Sequence, residues 1–474
     1  MRVTRSSPVF VVGAGPNGLT AAIELARAGR EVVVLEAAST PGGGTRTAEL
    51  IEPGTRHDVC SAIHPLGVAS EALRRLHLAD HGLRWIEPDI ELAHVLDDGG
   101  AAALERSLDA TVDGLGPAGA AWRRAMTPLT DAGLDLVDDL LSPLSLPRHP
   151  IHLARYGVAG LQPATTYARH FDDDTVGGLF AGLAAHAMLP LRAPITTGYG
   201  LMLGLLGHLV GWPLARGGSQ RISDALVSLL TAEGGSIECD HPVTSLDELP
   251  TGATVLLDVT PTQLIAIAGD RLPSRYRRRL ERYRHGPGAF KLDYVLSEPI
   301  PWTSPVARRA GTVHVGGAFT EVATAEAEVT AGRHPARPFV LVSEPTRFDP
   351  TRSTTGRSVA WAYCHVPNGS SVDMTERVEA QIERFAPGFR DVIVDRRAMR
   401  PAQLEAYNAN YVGGDIAAGA GDLRQFVARP TLGLHPWRTP LDGIYLCSAA
   451  TPPGPGVHGM CGLHAARTAL RDGW

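Results

Sequence analysis

Six residues near the start of the chain, Gly13-Ala14-Gly15-Pro16-Asn17-Gly18, have the types and spacing of a turn that cradles a pyrophosphate. Gly13 permits the tight turn, Gly15 lets the backbone approach a phosphate, and Gly18 lets the following helix pack close to its strand. The free N–H groups at that helix's start, from Asn17 onward, and its positive dipole end favour negative charge. Glu36 stands where an acid accepts hydrogen bonds from a ribose, and its charge would repel a 2′-phosphate, which disfavours NADP. The turn by itself suits FAD and NAD equally.

Two further segments choose FAD. Just past Glu36 and Ala37 comes Pro41-Gly42-Gly43-Gly44-Thr45-Arg46-Thr47. Its glycines allow close passage along a ribityl–pyrophosphate, and Arg46 is a candidate to neutralise phosphate charge. Near the end of the chain lies Ser448-Ala449-Ala450-Thr451-Pro452-Pro453-Gly454-Pro455-Gly456-Val457-His458-Gly459-Met460-Cys461-Gly462. This segment resembles the C-terminal flavin signature of the phytoene-desaturase and amine-oxidase superfamily. Its prolines and glycines make a rigid loop that lies against a ring, and a helix starting at Met460 points its dipole at the flavin N1–C2=O2 edge.

The elements that must position these residues are legible as patterns. Val9–Val12 is a β-branched and aromatic run, a buried parallel strand. Asn17–Ala28 reads as a helix capped by Gly29, and Glu31–Glu36 as the second strand of a doubly wound sheet. Asp109–Leu141 carries helical spacing, and Thr175–Trp212 is apolar almost all round, as in a helix buried under others. Arg221–Glu233 reads as a helix, Ser236–Cys239 and Thr254–Val259 as strands that rejoin the first sheet. Phe290–Leu296, Phe339–Ser343, Ser358–His365 and Ile444–Cys447 read as strands, and Thr375–Phe385 and Met460–Arg471 as helices. The fold class is α/β, with an α+β second domain. A Rossmann-like FAD-binding domain is expected over 1–95, 215–285 and 425–474. A mixed-sheet and helical substrate domain is expected over 96–214 and 286–424.

Composition narrows the class. A chain of 474 residues suggests two domains, and 44% apolar with 20% charged residues suits a large core. A net charge of −6 argues against nucleic-acid binding. Five scattered cysteines, without a CxxC pair, argue against a disulfide framework, a zinc site and a dithiol redox centre, and fit a reducing cytoplasm. Met1–Ser7 carries no signal-peptide pattern. Ala193–Ala215 lacks charge over a length that would just span a bilayer, yet Pro194, Pro213 and several glycines interrupt it, which favours a buried helix and leaves peripheral contact with a membrane open.

Taken whole, the chain resembles phytoene desaturase-like flavoproteins. It is most similar to the branch named for a pyridine nucleotide-disulfide oxidoreductase domain. Val11–Leu19, Arg56–Pro65, Phe290–Tyr294, Trp361–Pro367 and the C-terminal segment carry the match. The resemblance implies non-covalent FAD held by Gly13, Gly15, Pro16, Asn17, Gly18, Glu36, Ala37, Gly43, Gly44, Thr45, Arg46, Ser61, Ala62, Ile63, Val243, Ala449, Gly456, Val457, His458, Gly459 and Met460. It also makes Lys291 the leading catalytic candidate, since the matching amine-oxidase lysine holds a water at flavin N5. His64 and His458 are the other acid–base candidates. Tyr363 and His365 share one side of their strand by parity.

Without a second dinucleotide turn, electrons come from the organic substrate and leave to oxygen, a quinone or another carrier. No metal-ligand spacing occurs. The terminal motif has Gly459-Met460-Cys461 where amine oxidases usually place a cage aromatic. This favours dehydrogenation or desaturation of a largely apolar substrate by hydride transfer to flavin N5. The alternatives are an amine or amino-acid oxidase, and a flavin-bearing interaction protein without turnover. Substrate and oligomeric state are left open by the sequence.

Overall fold

A computed structural model describes residues 8–143, 147–171 and 173–473. The Met1–Ser7 reading lies outside them. Val9–Val12 is the centre of a five-stranded, all-parallel sheet, flanked by Thr254–Leu257 and Val32–Leu35 in direct register. Ile444–Leu446 and Ser236–Glu238 close its edges, giving the order Ile444, Thr254, Val9, Val32, Ser236. Both faces are covered, which is why the four strands other than Ser236–Glu238 are mostly apolar; that edge strand is partly exposed. Helices Pro16–Arg27, Gln220–Ala232 and Met460–Arg471 pack Leu19, Ile23, Leu226 and Ala466 on one face. Leu264 and Leu280 close the other.

The N- and C-terminal motifs meet through glycine. A side chain on Gly462 would strike the Asn17 carbonyl, so only hydrogen there lets the terminal helix lie against the first one. Chain ends more than four hundred residues apart are thereby brought to one rim.

A second, seven-stranded sheet has the order Ile393–Met399, Gly288–Leu296, Ser358–Val366, Val340–Ser343, Ala310–Val315, Ile90–Val95, Ala101–Leu104. Its pairs are antiparallel except Ala310–Val315 with Ile90–Val95. Helix Thr375–Phe385 covers one face with Val378, Ile382 and Phe385. Helices Gly119–Leu140, Asp174–Ala185 and Thr196–Val210 stand over the other. The uncharged Ala193–Ala215 stretch contains the fifteen-residue helix Thr196–Val210, largely buried in this layer. Among the described residues no helix is long and apolar enough to cross a membrane.

A buried ionic tie joins the two sheets' loops. Asp58 accepts from Arg352 Nη2 at 2.7 Å, from Thr47 Oγ1 at 2.7 Å and from the Ser219 N–H at 2.7 Å. Arg352 also reaches Asp349 at 3.2 Å, and Asp349 accepts the Gly217 N–H at 2.6 Å. Burial alone would raise the Asp58 carboxyl, but Arg352 and the hydrogen bonds more than offset it and hold the acid below its ordinary range. Removing one partner strands a buried charge. Arg352→Met is therefore expected to lower the urea unfolding free energy by about 3–5 kcal/mol, with much of the loss recovered in the Asp58→Asn/Arg352→Met double variant. Equal urea midpoints for the single variant and the parent chain would deny the pair this role.

Candidate active site

One continuous cavity of about 1180 Å³ connects the Gly13–Gly18 turn with the space between the seven-stranded sheet and its helices. At the turn, Gly13 has φ +101°, open to glycine and strained for other residues. A Cβ on Gly15 would lie 2.8 Å from Asp258 Oδ2, and one on Gly44 would collide with the Tyr411 hydroxyl. Bare backbone is thus a packing requirement along this wall, and bare backbone is what a phosphate chain needs to approach.

Glu36 ends its strand with both oxygens engaged. Oε2 accepts the Ala14 N–H at 2.7 Å, and Oε1 accepts the Ala38 N–H at 2.9 Å and Arg46 Nη2 at 3.0 Å. Arg46 is therefore held against Glu36, with its guanidinium 5.4 Å from the Tyr407 ring centroid. Loop 43–46 is zipped to loop 59–61 by Val59 N–H to Arg46 O, 2.9 Å, and Ser61 N–H to Gly44 O, 3.0 Å. Gly13, Gly15, Pro16, Asn17, Glu36, Ala37, Gly43, Gly44, Thr45, Arg46, Ser61, Ala62, Ile63, Val243, Ala449, Gly456 and Val457 all line the cavity.

Four expected cofactor residues stand behind the wall. The Gly18 N–H donates to Asp258 at 3.0 Å, and Gly18 itself gives the helix its close approach to Gly13. Gly459 is the N-cap of the terminal helix. The Met460 sulfur accepts the Ala72 N–H at 3.3 Å. His458 Nδ1 accepts the Met460 N–H at 3.0 Å, so Nε2 carries the proton and donates to Gly454 O at 3.1 Å. Burial lowers this imidazole to about 4, and it is a neutral clasp for the helix start.

His64 does face the cavity. Its Nε2 lies 2.8 Å from Ser219 Oγ, and burial keeps it neutral by lowering it to about 4. Lys291 is buried at 4% exposure and does not line the cavity. Its ammonium pairs with Asp293 on the same strand, and His57 lies 3.6 Å from that carboxylate.

Three contributors were not foreseen in the sequence. Asp258 follows its strand's last paired residue, and its position under the turn depends on a pairing 245 residues distant. Asn410 Nδ2 donates to the Asp258 carbonyl at 2.9 Å, and the Tyr407 hydroxyl donates to Gly43 O at 2.7 Å. The only local signal was the polar and aromatic run Tyr407-Asn408-Ala409-Asn410-Tyr411.

The far end is apolar. Leu153, Leu161, Met202, Leu203, Leu206 and Trp212 come from the helical side, and Thr312, Leu341, Trp361, Tyr363 and His365 from the sheet. Glu36, Arg46 and Asp258 supply the carboxylates and guanidinium of the described lining, and all three lie at the turn.

Comparison with known proteins agrees with this geometry. Residues 11–79 match the NAD(P)-binding Rossmann-like domain family. The chain is 26% identical over 547 aligned positions to rat pyridine nucleotide-disulfide oxidoreductase domain-containing protein 2, covering 98% of this chain and 93% of that protein. It is 22% identical to a limonene dehydrogenase subunit of Castellaniella defragrans, covering 100% and 96%. Putrescine oxidase bound to putrescine shares the fold, with TM-score 0.61, 19% identity and 98% of each chain covered. By sequence the chain is similar to oxidoreductases, among them a phytoene desaturase of Rhodobacter capsulatus at 25% identity over 55% of this chain, and it shares its fold with amine oxidases.

Asp258 sets a pH dependence. Burial, then the nearby Glu36 charge, raises its carboxyl from 3.8 to about 7, with the Gly18 N–H opposing. The folded chain keeps a proton that the unfolded chain releases, so this residue's contribution is fully present below pH ~4 and is lost as pH rises through about 7. Asp258→Asn is expected to flatten that slope in ligand-free protein, gaining up to ~4 kcal/mol relative to the parent at pH 8. Parallel stability-versus-pH curves for the two proteins would overturn the assignment.

Proposed function

We propose that this protein binds FAD non-covalently and dehydrogenates or desaturates a largely apolar organic molecule. The observation that carries the reading is the single cavity. A glycine-walled, charged end suited to a dinucleotide opens directly into an apolar chamber. FAD, when bound, supplies a hydride acceptor at N5.

The chain's own residues then bind and orient. Gly13, Gly15 and the start of helix Pro16–Arg27 would receive the pyrophosphate, and Glu36 the adenosine ribose, beside Val243. Gly43, Gly44, Ser61, Ala62 and Ile63 would border the ribityl chain and ring. Ala449, Gly456 and Val457 would close the ring's other edge, with the Met460 helix start behind them held by His458. The apolar helices exclude water from the chamber, which protects the hydride step from side reactions. Oxygen, a quinone or another carrier takes the electrons onward.

The substrate class draws support from the chamber's uncharged lining and from the full-length similarity to a protein of limonene dehydrogenation. An amine or amino-acid oxidase would need a carboxylate or an arginine at the far end, and the described lining offers neither there.

Purified protein is expected to be yellow, and anaerobic titration with apolar alcohols, alkenes and amines is expected to bleach it with a compound of the first two kinds. Bleaching by amines alone would favour the oxidase. A yellow protein bleached by none would favour an interaction protein carrying a structural flavin, and a colourless protein that refuses added FAD would sink the proposal. Because Asp293 engages Lys291 away from the cavity wall, Lys291→Met is expected to keep its flavin and reoxidise at the parent rate. A rate at least about ten-fold slower would return this lysine to the mechanism.

A further inference from the structure

His365 presents one imidazole nitrogen to a carboxylate and the other to the apolar chamber. Its Nδ1 lies 2.9 and 3.0 Å from the two Glu326 oxygens. Glu326 is 2% exposed on helix Phe319–Thr330. A carboxylate only accepts, so Nδ1 carries a proton, and in the neutral ring Nε2 offers its lone pair. Nε2 has no hydrogen-bond partner among the described residues, and the ring lines the cavity. Tyr363, two residues back on the same strand face, also lines it, with ring centroids 5.8 Å apart. A free imidazole lone pair facing an apolar chamber is costly unless something donates to it.

We infer, resting on the flavin reading above, that the substrate is an apolar molecule bearing one neutral hydroxyl on the carbon to be oxidised, and that His365 Nε2 is the base that takes its proton. The described far-end lining carries no carboxylate for an ammonium group and no lysine or arginine for an acid, so a neutral O–H is the complementary donor. The step balances. The O–H bond breaks with its proton to Nε2, and its electron pair forms the carbonyl bond. FAD, when bound, would take the carbinol hydrogen with its own pair, a two-electron reduction. Glu326 is a positioning residue. It fixes the tautomer and steadies the cationic ring that results.

The test is a pair of probes, 4-nitrophenol and nitrobenzene, titrated into the purified protein and its variants by difference absorbance. They share an apolar ring, and only the first has an O–H. The parent protein is expected to bind nitrophenol about ten-fold or more tightly than nitrobenzene, with the bound band shifted toward phenolate. His365→Gln is expected to abolish the preference while leaving nitrobenzene affinity unchanged. Glu326→Gln is expected to keep the binding and lose the phenolate shift. Equal affinity of the parent for both probes, uptake of neither, or a preference that survives in His365→Gln would overturn the inference. The parent comparison stands even if a variant fails to fold. Flavin content, read from the same samples, separates the two proposals. A protein that refuses added FAD yet shows the histidine-dependent preference sinks the flavin reading and leaves His365 only as the hydroxyl-binding group, and a yellow protein without the preference sinks this inference alone.

Discussion

The cavity depends on how Asp58 is held. Its carboxylate takes Arg352 from the loop after Val340–Ser343, Thr47 from the loop before it and the Ser219 N–H from the turn ahead of helix Gln220–Ala232. The Ser219 hydroxyl is in turn hydrogen-bonded to His64, which lines the cavity. A buried charge pair of this kind contributes less net stability than its attraction suggests, because both ions lose water. What it supplies is position. Three loops from distant parts of the chain converge on two oxygens, and the junction between the two sheets has one arrangement.

The seven-stranded sheet solves a different problem. Its register puts Lys291, Tyr363, Leu341, His314 and His94 in one row across five strands, all on the face toward the helices. Bulky rings under a helix need room. Helix Asp174–Ala185 supplies it with Gly178 and Gly182, four residues apart. A Cβ on Gly178 would lie 2.9 Å from the His94 ring, and one on Gly182 would meet both His94 and His314. Helix-interior glycines cost about 1 kcal/mol each relative to alanine, so two at this spacing need such a packing reason. Burial, with a neighbouring imidazole next, drives His314 well below the ordinary histidine range and His186 to about 3, so the row is neutral where it borders the chamber.

Local patterns carried much of this fold into the sequence. Val9–Val12, Thr375–Phe385 and Met460–Arg471 have the boundaries that periodicity and glycine punctuation imply. The strand read from Phe290 begins two residues earlier, at Gly288, where the chain passes under the Gly413 carbonyl. Other strands left no signal. Ala101–Leu104 is alanine-rich and could equally be helical, and Ile393–Met399 is an edge strand whose Asp395, Arg396 and Arg397 face water. Edge strands are specified by pairing and not by alternation. The site divides in the same way. The glycine turn and Glu36 are contiguous motifs and were legible. Asp258 and Tyr407 act across the fold, and no window of sequence contains both them and the residues they touch.

Lys291 shows why a strand motif does not by itself locate chemistry. Parity and register put it on the cavity side of the sheet, directly beside Tyr363. Tyr363 reaches the chamber while Lys291 does not; Asp293 receives the lysine's ammonium, and His57 lies beside that carboxylate. Neutralising a buried ammonium within its own strand keeps an unpaired cation away from the uncharged far end of the cavity. The charged groups of the described cavity lining are accordingly confined to the end at the glycine turn, and the far end is lined by uncharged side chains and imidazoles, with the Glu326 carboxylate set behind one of them.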